Sequence, residues 1–192
     1  MSLVIAYKKD NIVYMAADTQ RTLNVWKENS LYPDEYKIKQ YQNGILVGAV
    51  GTVSSIMQLY LHDEWFDLKK DEPLTHEFIV KKIVNPLYDE LKKIDNITKT
   101  WRNVMDLSSN FLIVKEDKIF QISNNGSVIE IPLFSAIGCG YQIVSPYFTY
   151  VDEKDIHKKL MTALDLSSHY NTGISRPYIM INSKDLTYEI IK

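Results

Sequence analysis

Four apolar segments near the start of the chain constrain its fold more than anything else in the sequence. Leu3-Val4-Ile5-Ala6-Tyr7 and Ile12-Val13-Tyr14-Met15-Ala16-Ala17 flank the polar turn Lys8-Lys9-Asp10-Asn11. Tyr36-Lys37-Ile38-Lys39-Gln40-Tyr41 and Ile45-Leu46-Val47-Gly48-Ala49-Val50 flank a turn at Asn43-Gly44. Each pair reads as a β-hairpin. Three of these four strands lack the apolar/polar alternation of a half-exposed sheet, so both of their faces must be covered. The polar stretch between the pairs, from Thr19 to Glu35 and containing Pro33, reads as a loop.

Helical periodicity takes over next. Ile56, Leu59 and Tyr60 mark one face of a helix from Ser54 to Phe66, and Phe78, Val80, Ile83, Val84, Leu87 and Leu91 mark a longer one. Pro86 predicts a kink or restart near Asn85. Strands follow at Asn110–Val114, Lys118–Ser123, Val128–Ile131 and Phe134–Ile137. Helical character returns after Gly140, with Pro146 suggesting a start, and again from Asp155 to Ser168. Tyr178–Ile181 and Leu186–Ile191 close the chain as strands. Strands in runs and helices in pairs exclude the alternation of a doubly wound parallel sheet. The expected class is α+β, a four-layer αββα sandwich of two antiparallel sheets flanked by helix pairs. No linker or repeat divides residues 1–192, so a single domain is expected.

Composition narrows the chemistry. The 192 residues carry a net charge of -2, which gives no basic field to gather nucleic acid or anionic lipid. No apolar run approaches the ~20 residues of a membrane span. One cysteine, Cys139, cannot form an internal disulfide, and no secretory signal opens the chain, so a cytoplasmic location is expected. His62, His76, His157 and His169 lack metal-ligand spacing, and His62-Asp63-Glu64 lacks the cysteines of a zinc deaminase. Gly48-Ala49-Val50-Gly51-Thr52 lacks the lysine of a phosphate loop, and no Gly-x-Ser-x-Gly elbow occurs. No metal and no cofactor is expected. Lys69-Lys70, Lys81-Lys82 and Lys92-Lys93 read as solvated helix surface.

The motifs that remain run in order along nearly the whole chain. They are Ser2-Leu3-Val4-Ile5-Ala6, Ala16-Ala17-Asp18, Tyr36-Lys37-Ile38, Val47-Gly48-Ala49-Val50-Gly51-Thr52 and Ala136-Ile137-Gly138-Cys139-Gly140. In this order and spacing the chain resembles the β-type subunits of the proteasome-like N-terminal-nucleophile hydrolases, most of all the bacterial HslV branch. That family's αββα sandwich agrees with the layering argued above.

The resemblance implies a chemistry. Such enzymes attack with the side-chain hydroxyl of the first mature residue and use its own α-amine as the base. An α-amine has a pKa near ~8, suited to that work at neutral pH. Matched onto this chain, the nucleophile is Ser2, exposed when Met1 is removed, as the small size of Ser2 leads one to expect. With Met1 in place the amine would be blocked. Lys37 falls on the activating lysine, Asp18 on the carboxylate that pairs with it, and Gly51 on the backbone donor to the oxyanion. An extended peptide or unfolded protein would pair with Thr22 and Gly51, and Ala49 falls on a specificity-pocket position. The resemblance further implies a homo-oligomeric ring and an unfolding ATPase partner.

Three departures stand out. Serine replaces the usual threonine nucleophile. Cys139 replaces a serine between two glycines, and a thiol is the weaker hydrogen-bonding group. In His169-Tyr170-Asn171-Thr172-Gly173, Thr172 keeps the hydroxyl of the matching family element, but His169 replaces its carboxylate. Two alternatives therefore stay open: a catalytically inactive homologue kept for assembly or binding, and an amidase acting on a small amide.

Overall fold

The computed structural model describes residues 2–23, 26–29, 37–94, 98–99 and 105–192, with only the backbone for Thr22, Leu23, Trp26, Thr98, Lys99 and Met105. Met1 and Tyr36 lie outside the described residues. The first hairpin joins β1 (Leu3–Lys9) to β2 (Ile12–Asp18), with Tyr7 opposite Tyr14. A short hairpin, β3 (Gln20–Leu23) and β4 (Trp26–Asn29), follows, and then β5 (Ile38–Gln40) and β6 (Leu46–Gly51). Helix α1 (Val53–Leu61) runs on into a 3₁₀ turn at Asp63–Phe66. Next come α2 (His76–Ile79), a π turn at Val80–Val84 and α3 (Asn85–Lys93).

After the small pair β7 (Thr98–Lys99) and β8 (Met105–Asp106) come β9 (Ser109–Lys115), β10 (Lys118–Ile122), β11 (Val128–Ile131) and β12 (Phe134–Gly138). Helices α4 (Tyr141–Tyr150) and α5 (Ile156–Tyr170) precede β13 (Tyr178–Asn182) and β14 (Glu189–Ile191).

The strands form two five-stranded antiparallel sheets, ordered β12-β1-β2-β13-β14 and β11-β10-β9-β6-β5. Alternation along each buried strand explains the missing polar face. On β1, Val4 and Ala6 point into a core shared with Leu46, Leu112 and Val114 of the other sheet. Their neighbours Leu3 and Ile5 face the α4–α5 layer, packing with Leu160 and Leu164. On β6, Val47 and Ala49 face α1, α2 and α3. The four-layer sandwich is therefore present as expected. Each fully buried Leu or Ile contributes roughly 1.5–3 kcal/mol relative to exposure. Gly48 brings the two sheets together: a β-carbon there would lie 2.5 Å from Val4 Cγ1 and 2.8 Å from Met15 Cε.

Pro86 acts as expected. It cannot donate a hydrogen bond and its ring crowds the preceding turn, so the helix widens just before it and the Asn85 N–H reaches back to the Val80 carbonyl. Two readings need correction. The stretch from Thr19 to Glu35 is not all loop, because Gln20–Leu23 and Trp26–Asn29 pair as a hairpin. Its polar residues give no strand pattern, and it is tied down from outside: Thr19 Oγ1 donates to the Pro177 carbonyl at 2.8 Å and Ser175 Oγ to Asn29 Oδ1 at 3.0 Å. Pro146 does not start a helix but sits within α4, which begins directly after Gly140, whose carbonyl accepts the Ile143 and Val144 N–H groups.

Candidate active site

The end of β2 places Asp18 wholly inside the protein, opposite Tyr178 of β13. A carboxylate so placed must find donors. Three reach it: the Leu3 N–H at 2.8 Å, the Gln20 N–H at 3.1 Å and the Lys37 ammonium at 2.6 Å. Lys37, just ahead of β5, keeps only 12% of its side chain exposed. Burial pushes the Asp18 carboxyl up and the Lys37 ammonium down, while each partner's charge opposes the other's shift. Arg21 also lies near enough to act on Lys37, its positive charge repelling the ammonium.

Ser2 enters from the edge of β1. Its carbonyl accepts the Cys139 N–H at 2.9 Å and the Cys139 thiol at 3.5 Å. Gly138, opposite Leu3, allows this approach. Its φ is +103°, and a β-carbon would lie 2.0 Å from the Ser2 carbonyl oxygen. Asp18 thus binds Lys37 with one carboxylate oxygen and the residue after Ser2 with the other.

Gly51 ends β6 at φ +141°, where a β-carbon would lie 2.3 Å from Ser109 Oγ. The Thr52 N–H beyond it donates to the Ser108 carbonyl at 3.0 Å and to Ser109 Oγ at 3.1 Å, which holds the strand-to-helix turn. Ala49 is 2% exposed within the helix-side core, and its N–H donates to the Lys37 carbonyl at 3.0 Å. The backbone of Thr22 pairs with Lys27 across the β3–β4 hairpin. Thr172 is exposed in the turn after α5, and its carbonyl accepts Gln20 Nε2 at 3.1 Å and Lys27 Nζ at 2.7 Å. His169 is exposed, its ring edge-on to Tyr170. Among the described residues no three His, Cys, Asp or Glu side chains gather to hold a metal ion.

No family model matches the chain. It is, however, 26% identical to HslV of Campylobacter concisus, an ATP-dependent protease subunit, over 92% of this chain and 96% of that protein. The structure matches Thiobacillus denitrificans BPH in complex with epoxomicin at a TM-score of 0.72 and 20% identity, covering 96% of this chain and 99% of the other. It matches the Gly-1 mutant of Anbu from Hyphomicrobium sp. strain MC1 at a TM-score of 0.75 and 17% identity, covering 100% and 88%. The chain is similar to HslV in sequence and has the proteasome-type N-terminal-nucleophile fold. Its αββα sandwich is the fold shared with those structures.

Within this HslV-like frame the sequence pointed to Asp18 and Lys37, and the two meet. It did not point to Gln20, whose N–H binds Asp18 and whose side chain binds the Thr172 loop. One signal was legible: an Asp side chain commonly accepts from the backbone two residues on. Nor did it point to Tyr60, whose hydroxyl reaches the Lys37 carbonyl from α1. No helix in the described residues is long and apolar enough to cross a membrane.

Proposed function

We propose that this HslV-like chain is a peptidase that uses the Ser2 hydroxyl as nucleophile once Met1 has been removed. The α-amine of Ser2 takes the hydroxyl proton as Oγ attacks the scissile carbonyl carbon. The Gly51 N–H donates to the resulting oxyanion, an interaction worth about 3 kcal/mol in comparable sites. Collapse expels the leaving amine, which takes up that proton, and leaves an ester on Ser2. Water then hydrolyses the ester and frees the hydroxyl. Lys37, kept in place by Asp18, lowers the proton affinity of the amine by repulsion and that of the hydroxyl by attraction. Cys139 borders Ser2, and the resemblance assigns Thr172 to the same site and Thr22 and Ala49 to the binding of an extended peptide.

The observation that carries this reading is the Asp18 carboxylate, which binds the Leu3 N–H and the Lys37 ammonium at once. Relationship to an ATP-dependent protease subunit supports a ring of identical chains in the cytoplasm, fed by an unfolding ATPase. The test is intact mass spectrometry of protein from its native host, incubated with epoxomicin, the ligand bound to BPH. A single adduct on a chain lacking Met1, abolished in Ser2→Ala and in Lys37→Ala, is the expected result. A native chain that retains Met1 and takes no adduct supports the second reading, a catalytically silent homologue. The exposed His169 and the thiol of Cys139 favour that reading.

A further inference from the structure

Strand β5 is short: only Ile38–Gln40 pair with β6, Lys37 is tied to β6 by the Ala49 N–H bond to its carbonyl at 3.0 Å, and among the described residues nothing extends the sheet beyond β5. Four hydrogen bonds from elsewhere converge on residues 37–40. The Tyr60 hydroxyl, reaching in from α1, shares its one proton between the carbonyls of Lys37 and Val47, each at 3.2 Å. It therefore spans β5 and β6 one residue from the end of the ladder. In return, Lys39 of β5 donates its ammonium to the Tyr60 carbonyl at 2.6 Å and to Asp63 Oδ1 at 2.7 Å. That carbonyl lies in the last turn of α1, where no basic residue of the helix itself is available. The Lys39 ammonium also lies over the rings of Tyr41 and Tyr60, at 4.7 and 5.7 Å from their centroids. Tyr188 adds a bond to the Ile38 carbonyl at 2.8 Å.

The other end of α1 begins directly after Gly51 and Thr52, and the Thr52 carbonyl accepts the Ile56 N–H at 3.1 Å. One nine-residue helix thus connects the turn of Gly51 to the backbone of Lys37.

We propose that Tyr60 and Lys39 are positioning residues for Lys37, forming a reciprocal staple between α1 and β5 that sets the lysine's place relative to Gly51 and Ser2. The inference rests on the peptidase reading above for its catalytic consequence. The geometric consequence stands without that reading, because the Tyr60 bond ends on the lysine's own carbonyl. Nearby Tyr41 is the matched control: its ring is equally part of this cluster, but its buried hydroxyl has no partner among the described residues.

Two measurements on des-Met protein test the proposal. The first is the rate of epoxomicin adduct formation, separated into binding and chemical steps. Tyr60→Phe lowers the chemical step by about tenfold or more with binding within about twofold, since a small misplacement of a reacting group costs such factors. Lys39→Met does the same, and Tyr41→Phe leaves both unchanged. The second measurement follows the Lys37 side chain by NMR of protein labelled at lysine Cε. Tyr60→Phe shifts the Lys37 resonance and its titration midpoint, whereas Tyr41→Phe does not. Wild-type rates and an unmoved Lys37 signal in Tyr60→Phe overturn the proposal, as does an equal loss in Tyr41→Phe. If the wild-type protein takes no adduct, the peptidase reading fails, and the Lys37 signal alone decides whether the staple positions the lysine.

Discussion

Oδ1 of Asp18 accepts the Leu3 N–H at 2.8 Å, so the carboxylate that holds the lysine also fixes the backbone next to Ser2. Asp18→Asn keeps the shape but removes the charge opposite a nearly buried ammonium. An unpaired charge of that kind costs about 3–5 kcal/mol. Urea denaturation of Asp18→Asn is expected to show a loss of that size, with epoxomicin adduct formation abolished. The double variant Asp18→Asn with Lys37→Met recovers part of the stability and none of the reaction.

Gly138→Ala attacks the seat of Ser2 without touching any charge. The new β-carbon would lie 2.0 Å from the Ser2 carbonyl, at a φ that disfavours side chains. The start of β1 must move away. A stability loss of about 1–3 kcal/mol is expected from the backbone conformation alone, together with loss of the adduct. A crystal structure of the variant would show the Ser2 to Cys139 bond broken.

Gly48→Ala tests the sandwich at a distance from Ser2. The added methyl meets Val4 and Met15 across the gap between the sheets. Overpacking of this kind costs about 1–3 kcal/mol. Calorimetry would register the lower melting temperature, and the variant should still bind Lys37 to Asp18.

The Lys8–Asp117 pair, at 2.6 Å, joins β1 to the β9–β10 turn and so links the two sheets at their rim. The Lys8 hydrogen bond holds the Asp117 carboxyl below its usual value of 3.8. A carboxyl depressed on folding stabilises above its unfolded value and loses that contribution as pH falls through the folded one. The pair is half-exposed, so its worth is below about 1 kcal/mol. Urea melts of wild type and Asp117→Asn should differ slightly at neutral pH and converge near pH ~2.

The layering of this protein was readable because its strands are doubly covered: Leu3 to Ala6 and Ile45 to Val50 show no polar face, and two packed sheets with outer helices satisfy that. The β3–β4 hairpin was not readable, because Gln20, Arg21, Lys27 and Glu28 carry no strand pattern and pairing there depends on contacts with the loop around Thr172 and Pro177. The pairing of Asp18 with Lys37 followed from short motifs that resemble the family. The Gln20 N–H and the Tyr60 hydroxyl act on that pair through hydrogen bonds that only the folded arrangement supplies, and a tyrosine at a helical spacing reads as ordinary core.

Asp18 ends a strand of one sheet, and Lys37 immediately precedes a strand of the other. The link between them is therefore made only when the sandwich closes. A chain in which the two sheets have not yet packed leaves the Asp18 carboxylate without the ammonium beside it. On the peptidase reading proposed above, closure of the sandwich would be the step that brings the ammonium to Ser2.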